Sequence, residues 1–257
     1  MRSEHIAVVG AGQIGHGIAQ IFAARGHEIV LFDPDENVLE KAIEKIRSNL
    51  IVLSEHGRCL REEIERTVER IRPVDSLKEA VASARFVVES VSEKLAVKQD
   101  LFHAMEAFCS PITILATNTS AMSVTEIAAR IKFKERVVGI HFWPPPYLVP
   151  LVEVVGGRQT SQEVKEYTCN IVKSVGKYPV MTKSDVPGLV GNRLQNALRR
   201  EAISIVEQGL ADPKAVNDVV KKGLSIRLSL SGPLENADCA GLDRTSQIQE
   251  HLFKFIE

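Results

Sequence analysis

The run Ile6-Ala7-Val8-Val9-Gly10-Ala11-Gly12-Gln13-Ile14-Gly15 constrains this chain more than any other stretch. Apolar strand formers lead straight into a Gly-x-Gly-x-x-Gly turn, and a helical pattern, Ile14 to Arg25, follows at once. The glycine spacing alone is common; between a strand and a helix it acquires a physical meaning. Gly10 permits a tight turn, Gly12 lets backbone approach a pyrophosphate with no Cβ in the way, and Gly15 allows close helix–strand packing. Gln13 and Ile14 open the helix, whose N-terminus offers N–H groups and partial positive charge to phosphates. The next β-run, Glu28 to Phe32, leads into Asp33, eighteen residues after Gly15. That is close to the spacing of a carboxylate that accepts from ribose hydroxyls. A carboxylate there repels a 2′-phosphate, and Pro34 and Asp35 follow it rather than an arginine. The expected cofactor is therefore NAD rather than NADP. The bland alternative is a glycine-rich turn beside a solvent-facing Asp.

The first half continues as alternating short β-runs and helical patterns. Phe86–Glu89, Thr113–Ala116 and Arg136–His141 read as further strands, and Glu93–Phe108 as a helix. Such alternation implies parallel strands joined by crossover helices on both faces of a sheet. From Glu36 to Arg70 the sequence is charged and helical with a break at His56-Gly57, an antiparallel helix pair projecting from the sheet. Leu151–Val155 and Val180-Met181 read as strands around a helix carrying Val164, Tyr167, Ile171, Val172 and Val175. Past Asp185 the strand signals stop. Pro187–Gln208 is a long helical pattern, Asp212-Pro213 caps another helix, and a last helix runs from about Thr245. The expected domains are residues 1–184, an α/β nucleotide-binding domain, and 185–257, a smaller all-helical one.

Composition narrows the class of partner. Of 257 residues, 44% are apolar and 25% charged, which suits a soluble globular chain. Lys+Arg is 32 against Asp+Glu 33, a net charge of −1, so no global basic excess draws the chain to nucleic acid or an anionic membrane. Four dispersed cysteines, Cys59, Cys109, Cys169 and Cys239, form no zinc-type cluster and suit reduced thiols in the cytoplasm. No metal site is expected.

Chemistry at an alcohol carbon needs a group that takes or gives a proton. His141 ends a β-run, and ligands in open α/β sheets bind at strand ends. Glu153, twelve residues on, sits inside the apolar run Pro150-Leu-Val-Glu153-Val-Val. A lone buried carboxylate is costly without a partner, and an imidazole partner would gain a fixed tautomer from it. Asn118, a cofactor-side candidate, and Ser120 follow the Thr113–Ala116 strand, and Asn192 lies in the first helix of the helical domain. Each has an ordinary use as well: a structural histidine, a solvent-facing Glu153, a turn or cap at 118–120, a domain-interface bond for Asn192.

Together these residues resemble the L-3-hydroxyacyl-CoA dehydrogenase superfamily, which includes L-gulonate 3-dehydrogenase and L-carnitine dehydrogenase. The resemblance rests on Gly10–Gly15 with Asp33, Glu93-Lys94-Leu95-Ala96-Val97-Lys98, Asn118-Thr119-Ser120, His141-Phe142-Trp143-Pro144-Pro145, Pro150-Leu151-Val152-Glu153, and Asp185-Val186-Pro187-Gly188-Leu189-Val190-Gly191-Asn192. It implies a Rossmann-like doubly wound sheet followed by a helical domain that mediates dimerisation. It implies His141 as general base with Glu153 as its partner, Ser120 and Asn192 as substrate-positioning residues, and Glu93 and Lys98 as cofactor-side contacts. Two departures stand out. Relatives carry Asn where this chain has Pro144, which has no donor. They also continue past the point matching Phe253–Ile256, so part of the substrate wall or dimer surface is expected to be missing or differently built.

The expected function is NAD-dependent oxidation or reduction at the 3-hydroxyl of an L-3-hydroxyacyl-CoA. The alternatives are a dehydrogenase of a free 3-hydroxy acid such as L-gulonate or carnitine, and an NAD-binding protein without turnover.

Overall fold

A computed structural model describes residues 4–256. Its centre is β1 (His5–Val9), four of whose five residues are buried. The chain then runs through α1 (Gly15–Ala23), β2 (Glu28–Phe32), α2 (Glu36–Glu55), α3 (Glu63–Glu69), β3 (Ile71–Val74), α4 (Leu77–Val81) and β4 (Phe86–Glu89). It continues as α5 (Leu95–Phe108), β5 (Ile114–Thr117), α6 (Val124–Ile127), β6 (Val137–Phe142), β7 (Leu151–Gly156), α7 (Gln162–Ser174) and β8 (Tyr178–Met181). The strands form one sheet in the order β3-β2-β1-β4-β5-β6-β7-β8. From β1 the order departs in both directions, and the crevice at such a switch point is where open α/β sheets bind ligands.

Six of the seven strand pairings are parallel; β6 with β7 is antiparallel. The sheet is thus mostly parallel, as the strand–helix alternation implies, with one antiparallel pair. Only residues 143–150 join these two strands, too few for a crossover helix, so β7 must return beside β6. That return sets His141 directly opposite Glu153. Gly139 makes the close pairing possible, because a Cβ there would lie 2.4 Å from Val155 Cγ1.

Both faces of the sheet are packed. On one, Phe22 meets Phe86 and Phe142 at ring-centre distances of 6.5 Å. On the other, Phe102, Met105, Leu115 and Ile127 are fully buried. The charged α2–α3 pair is less detached than its composition suggests. Leu39, Ala42, Ile46 and Leu50 recur at helical spacing and are buried, and Asn49 donates to Gln20 of α1 at 3.1 Å. Its outer parts, including Val52 and Leu60, remain exposed.

The chain divides into two compact units, one ending at Val190 and the other beginning at Gly191. The second comprises most of α8 (Leu189–Glu207), then α9 (Pro213–Val219), a single π-helical turn at Val220–Leu224, α10 (Ser225–Leu230), α11 (Pro233–Ala240) and α12 (Leu242–Leu252). Asp212 caps α9 as its sequence suggests, accepting from Ala215 N–H. Among the described residues no helix is long and apolar enough to cross a membrane.

The segment leading into α8 is tied down by Asp185. Its carboxylate accepts from Ser123 Oγ at 2.7 Å, Thr125 Oγ1 at 2.6 Å, and the Val124 and Thr125 N–H groups at 3.0 and 2.8 Å. Burial opposes ionisation, but those donors outweigh it and hold the Asp185 carboxyl below its ordinary range. A depressed folded-state value contributes stability above the unfolded carboxylate pKa, and that stability is lost as pH falls through the folded value. Asp185→Asn is therefore expected to cost about 2 kcal/mol at neutral pH by urea unfolding. The gap from the parent protein should narrow below about pH 4; an equal gap at both pH values would refute the ionic origin.

Candidate active site

The glycine turn is built as its spacing predicts. Gly10 has φ +102°, and a Cβ on it would lie 2.6 Å from the Ser90 carbonyl oxygen. A Cβ on Gly15 would lie 1.8 Å from Gly10 O. These two positions accept no side chain for internal reasons. Gly12 differs: nothing lies within 4 Å of its hypothetical Cβ. Its bareness serves nothing inside the protein, which suits the close approach of a ligand. His16 Nδ1–H donates to Gly12 O at 2.7 Å and braces the turn. Burial lowers the His16 pKa, favouring the neutral ring.

Asp33 stands on the lip of the turn. One carboxylate oxygen accepts from Ala11 N–H at 3.0 Å and the other from Asp35 N–H at 3.2 Å. Each oxygen keeps acceptor capacity for a ribose hydroxyl. A bare Gly12, a helix N-terminus and an oriented acid together fit a dinucleotide. Gln13, Ile14 and His16 line a cavity of ≈ 320 Å³ with Pro144, Pro145 and Tyr147. Pro144 therefore borders the same cavity as Gln13 and Ile14, and it supplies no N–H there.

The ends of β4 and β5 carry a second constellation. Glu89 closes β4 and is wholly buried. It accepts from Lys98 Nζ at 2.7 Å, Thr117 Oγ1 at 2.6 Å and Val91 N–H at 2.7 Å. Lys98 is equally buried and lies 3.3 Å from Glu93 Oε2. Glu93 accepts from the Thr119 hydroxyl and from Ser120 N–H at 2.9 Å. Burial alone would raise the Glu93 pKa; the Thr119 hydroxyl, the Lys98 charge and the Ser120 N–H bring it below the usual range instead. Its side chain is 39% exposed, so Glu93 is the member of this group that can meet a ligand directly. Asn118 Oδ1 accepts from Phe142 N–H at 2.9 Å, bracing the end of β5 against that of β6.

The third constellation spans β6 and β7. His141 Nδ1 lies 3.1 Å from Glu153 Oε2, and both residues are buried. Trp143 Nε1–H donates to the same oxygen at 3.2 Å, and Val190 N–H donates to Oε1 at 2.9 Å. An ionised carboxylate only accepts, so Nδ1 carries the proton of the neutral ring and Nε2 is left as its basic nitrogen. Val190 reaches Glu153 because Gly188 and Leu189, with φ of +83° and +48°, turn the chain just before it. Leu189 is not a glycine, so this turn holds strain at the site.

Within the first unit the structure links Glu93 with Ser120 and Lys98, and Asn118 with the residue after His141. Asn192 belongs to the second unit, near the start of α8. Sequence reasoning passed over Glu89, Asp185, Trp143 and His16 as site residues. Glu89 carried a signal, since it is an acid ending the apolar run Phe86-Val-Val-Glu89, the same kind of placement that singled out Glu153. The partners of Trp143 and His16 depend on the folded turn and loop, and nothing in their spacing announces them.

The chain matches the family 3-hydroxyacyl-CoA dehydrogenase, NAD binding domain, over residues 5–186, and the family 3-hydroxyacyl-CoA dehydrogenase, C-terminal domain, over residues 188–257. It is 40% identical to the 3-hydroxyadipyl-CoA dehydrogenase of Escherichia coli (strain K12), over 93% of this chain but only 49% of that protein's length. It is 36% identical to the probable 3-hydroxybutyryl-CoA dehydrogenase of Bacillus subtilis (strain 168), over 98% of this chain and 86% of the relative. In structure it resembles 5-formyl-3-hydroxy-2-methylpyridine 4-carboxylic acid 5-dehydrogenase, an NAD+-dependent dismutase, with a TM-score of 0.91 and 32% identity, over 99% of this chain and 82% of that one. With a nucleotide-binding unit and a helical unit both matched in order, this chain belongs to the 3-hydroxyacyl-CoA dehydrogenase family of NAD-dependent oxidoreductases.

Proposed function

We propose that this chain oxidises or reduces the 3-hydroxyl carbon of an L-3-hydroxyacyl-CoA with NAD, using His141 and Glu153 as its proton-handling pair. NAD-binding residues 1–184 and a helical substrate and dimerisation domain, 185–257, form part of this reading. So do a place in fatty acid metabolism and a cytoplasmic location. The observation that carries it is the buried imidazole–carboxylate contact at the end of β6.

Bound NAD supplies the hydride acceptor or donor. The glycine turn with Gln13 and Ile14 holds the pyrophosphate, and Asp33 takes the adenosine ribose. Glu93, fixed by Lys98, takes the second ribose, and Asn118 orders the strand ends beside it. In oxidation His141 Nε2 accepts the proton of the substrate hydroxyl. Glu153 stabilises the imidazolium that results, and its bonds from Trp143 and Val190 keep it in place. In reduction Nε2 returns the proton to the carbonyl oxygen. Ser120 and Asn192 orient the substrate.

Relatives named for CoA thioesters support the acyl-CoA substrate. A second reading, a free acid, draws on the structural neighbour whose named substrate is a pyridine carboxylic acid. NADH formation from 3-hydroxybutyryl-CoA, L-gulonate and carnitine separates them, with the thioester expected to react fastest. NADH binding without turnover of any of the three would favour the third, non-enzymatic reading. Glu153→Gln should lower kcat about 100- to 1,000-fold with the fold retained; full activity would remove the pair from the mechanism.

The partner we propose is a second copy of this chain, docked on the helical unit. From residue 205 to 256 no described residue is buried, and Leu230 and Leu234 are each 84% exposed. Helices with apolar faces and no core of their own require cover. Sedimentation should report a dimer, and Leu230→Glu with Leu234→Glu should shift it toward monomer. A monomeric parent protein at micromolar concentration would overturn this proposal.

A further inference from the structure

Two carboxylates and one ammonium meet beneath the ends of β4 and β5. Lys98 Nζ lies 2.7 Å from Glu89 and 3.3 Å from Glu93. One cation against two acids leaves the group with a net charge of −1 when all three are ionised. Glu89 does not reach the surface, since both it and Lys98 are wholly buried. Its task is therefore internal: with the single cation Lys98 shared between two acids, it sets the group's sum at one net negative charge, and Glu93 is the member that brings charge to the mouth.

The direction of a bound dinucleotide follows from the strand order. Asp33 ends β2 and the glycine turn follows β1, so the adenosine half lies toward β2 and the other half extends toward β4, β5 and β6. That half carries the nicotinamide. Its ring is cationic when oxidised and neutral when reduced, so a fixed negative charge beside it acts on one form and not the other.

We propose that Glu89 is a positioning residue that keeps the charge beneath the nicotinamide end at −1, so that the site favours NAD+ over NADH. The inference rests on the dinucleotide reading above. It predicts a preference that follows charge and not shape.

The test measures the dissociation constants of NAD+ and NADH for four forms of the full chain, by calorimetry and by NADH fluorescence. Glu89→Gln brings the group to zero charge and should shift the affinity ratio roughly tenfold toward NADH. Lys98→Met makes it more negative and should shift the ratio toward NAD+. The double variant Glu89→Gln/Lys98→Met returns to one negative charge, and its ratio should lie within about twofold of the parent value. ADP-ribose, which lacks the ring, should show no ordering of affinity by charge.

A purely structural Glu89 would weaken both nicotinamide forms by the same factor, and that result overturns the inference. So does a shifted ratio that the double variant fails to restore. If one single variant does not fold, the other compared with the double variant decides, because their charges still differ by one. A parent protein that binds neither form overturns the dinucleotide reading and this inference with it. Binding of both forms with a ratio indifferent to charge overturns the inference alone.

Discussion

Glu153 is a carboxylate held almost entirely out of water, and the packing of β6, β7 and the segment entering α8 depends on how it is satisfied. An uncompensated charge in that position would be prohibitive. The His141 ring, the Trp143 indole and the Val190 N–H all reach its two oxygens. Each arrives from a different stretch of chain, so the acid is satisfied only when β6, the 143–150 loop and the turn before α8 are all in place. The short loop that forces β7 to run antiparallel is part of the same arrangement, since it sets the register that faces His141 with Glu153.

The same solution recurs along one edge of the sheet. Glu89 ends β4, and Asp33 follows β2. Each accepts from a backbone N–H close by, and the more deeply buried Glu89 also has a cation. Asp185 follows this logic on the segment leading to α8, where hydroxyls and N–H groups replace the cation. Acids at such positions organise the loops around them, because breaking the set leaves a charged group without partners.

What the sequence discloses falls off with the distance over which a feature is determined. The glycine turn is a local device, and its three glycines stand where the spacing predicts. Most strands and main helices are recovered with ends differing by a residue or two, because apolar periodicity is also local. The four-residue β3, Ile71-Arg-Pro-Val74, has only its two end residues buried and carries a proline, so it leaves little strand pattern to read. The helices α10 and α11 are missed for a related reason: they bury no residue, so no apolar stripe marks them. The antiparallel β7 was open to inference from loop length, yet the strand–helix alternation around it points the other way. The His141–Glu153 pairing is readable as a suspicion only, since twelve residues of spacing do not reveal a register. Glu89 shows the limit most clearly. Its strand is legible, but its partners Lys98 and Thr117 come from two other elements.

Glu89, at the end of β4, and Glu153, within β7, are both buried acids that differ in what they are paired with. Glu153 faces the His141 imidazole, with the Trp143 indole and the Val190 N–H beside it. Glu89 faces the Lys98 ammonium, with the Thr117 hydroxyl and the Val91 N–H beside it. What each acid can do in this fold is thus set less by the acid itself, which β4 and β7 both supply, than by the partner the sheet brings to meet it.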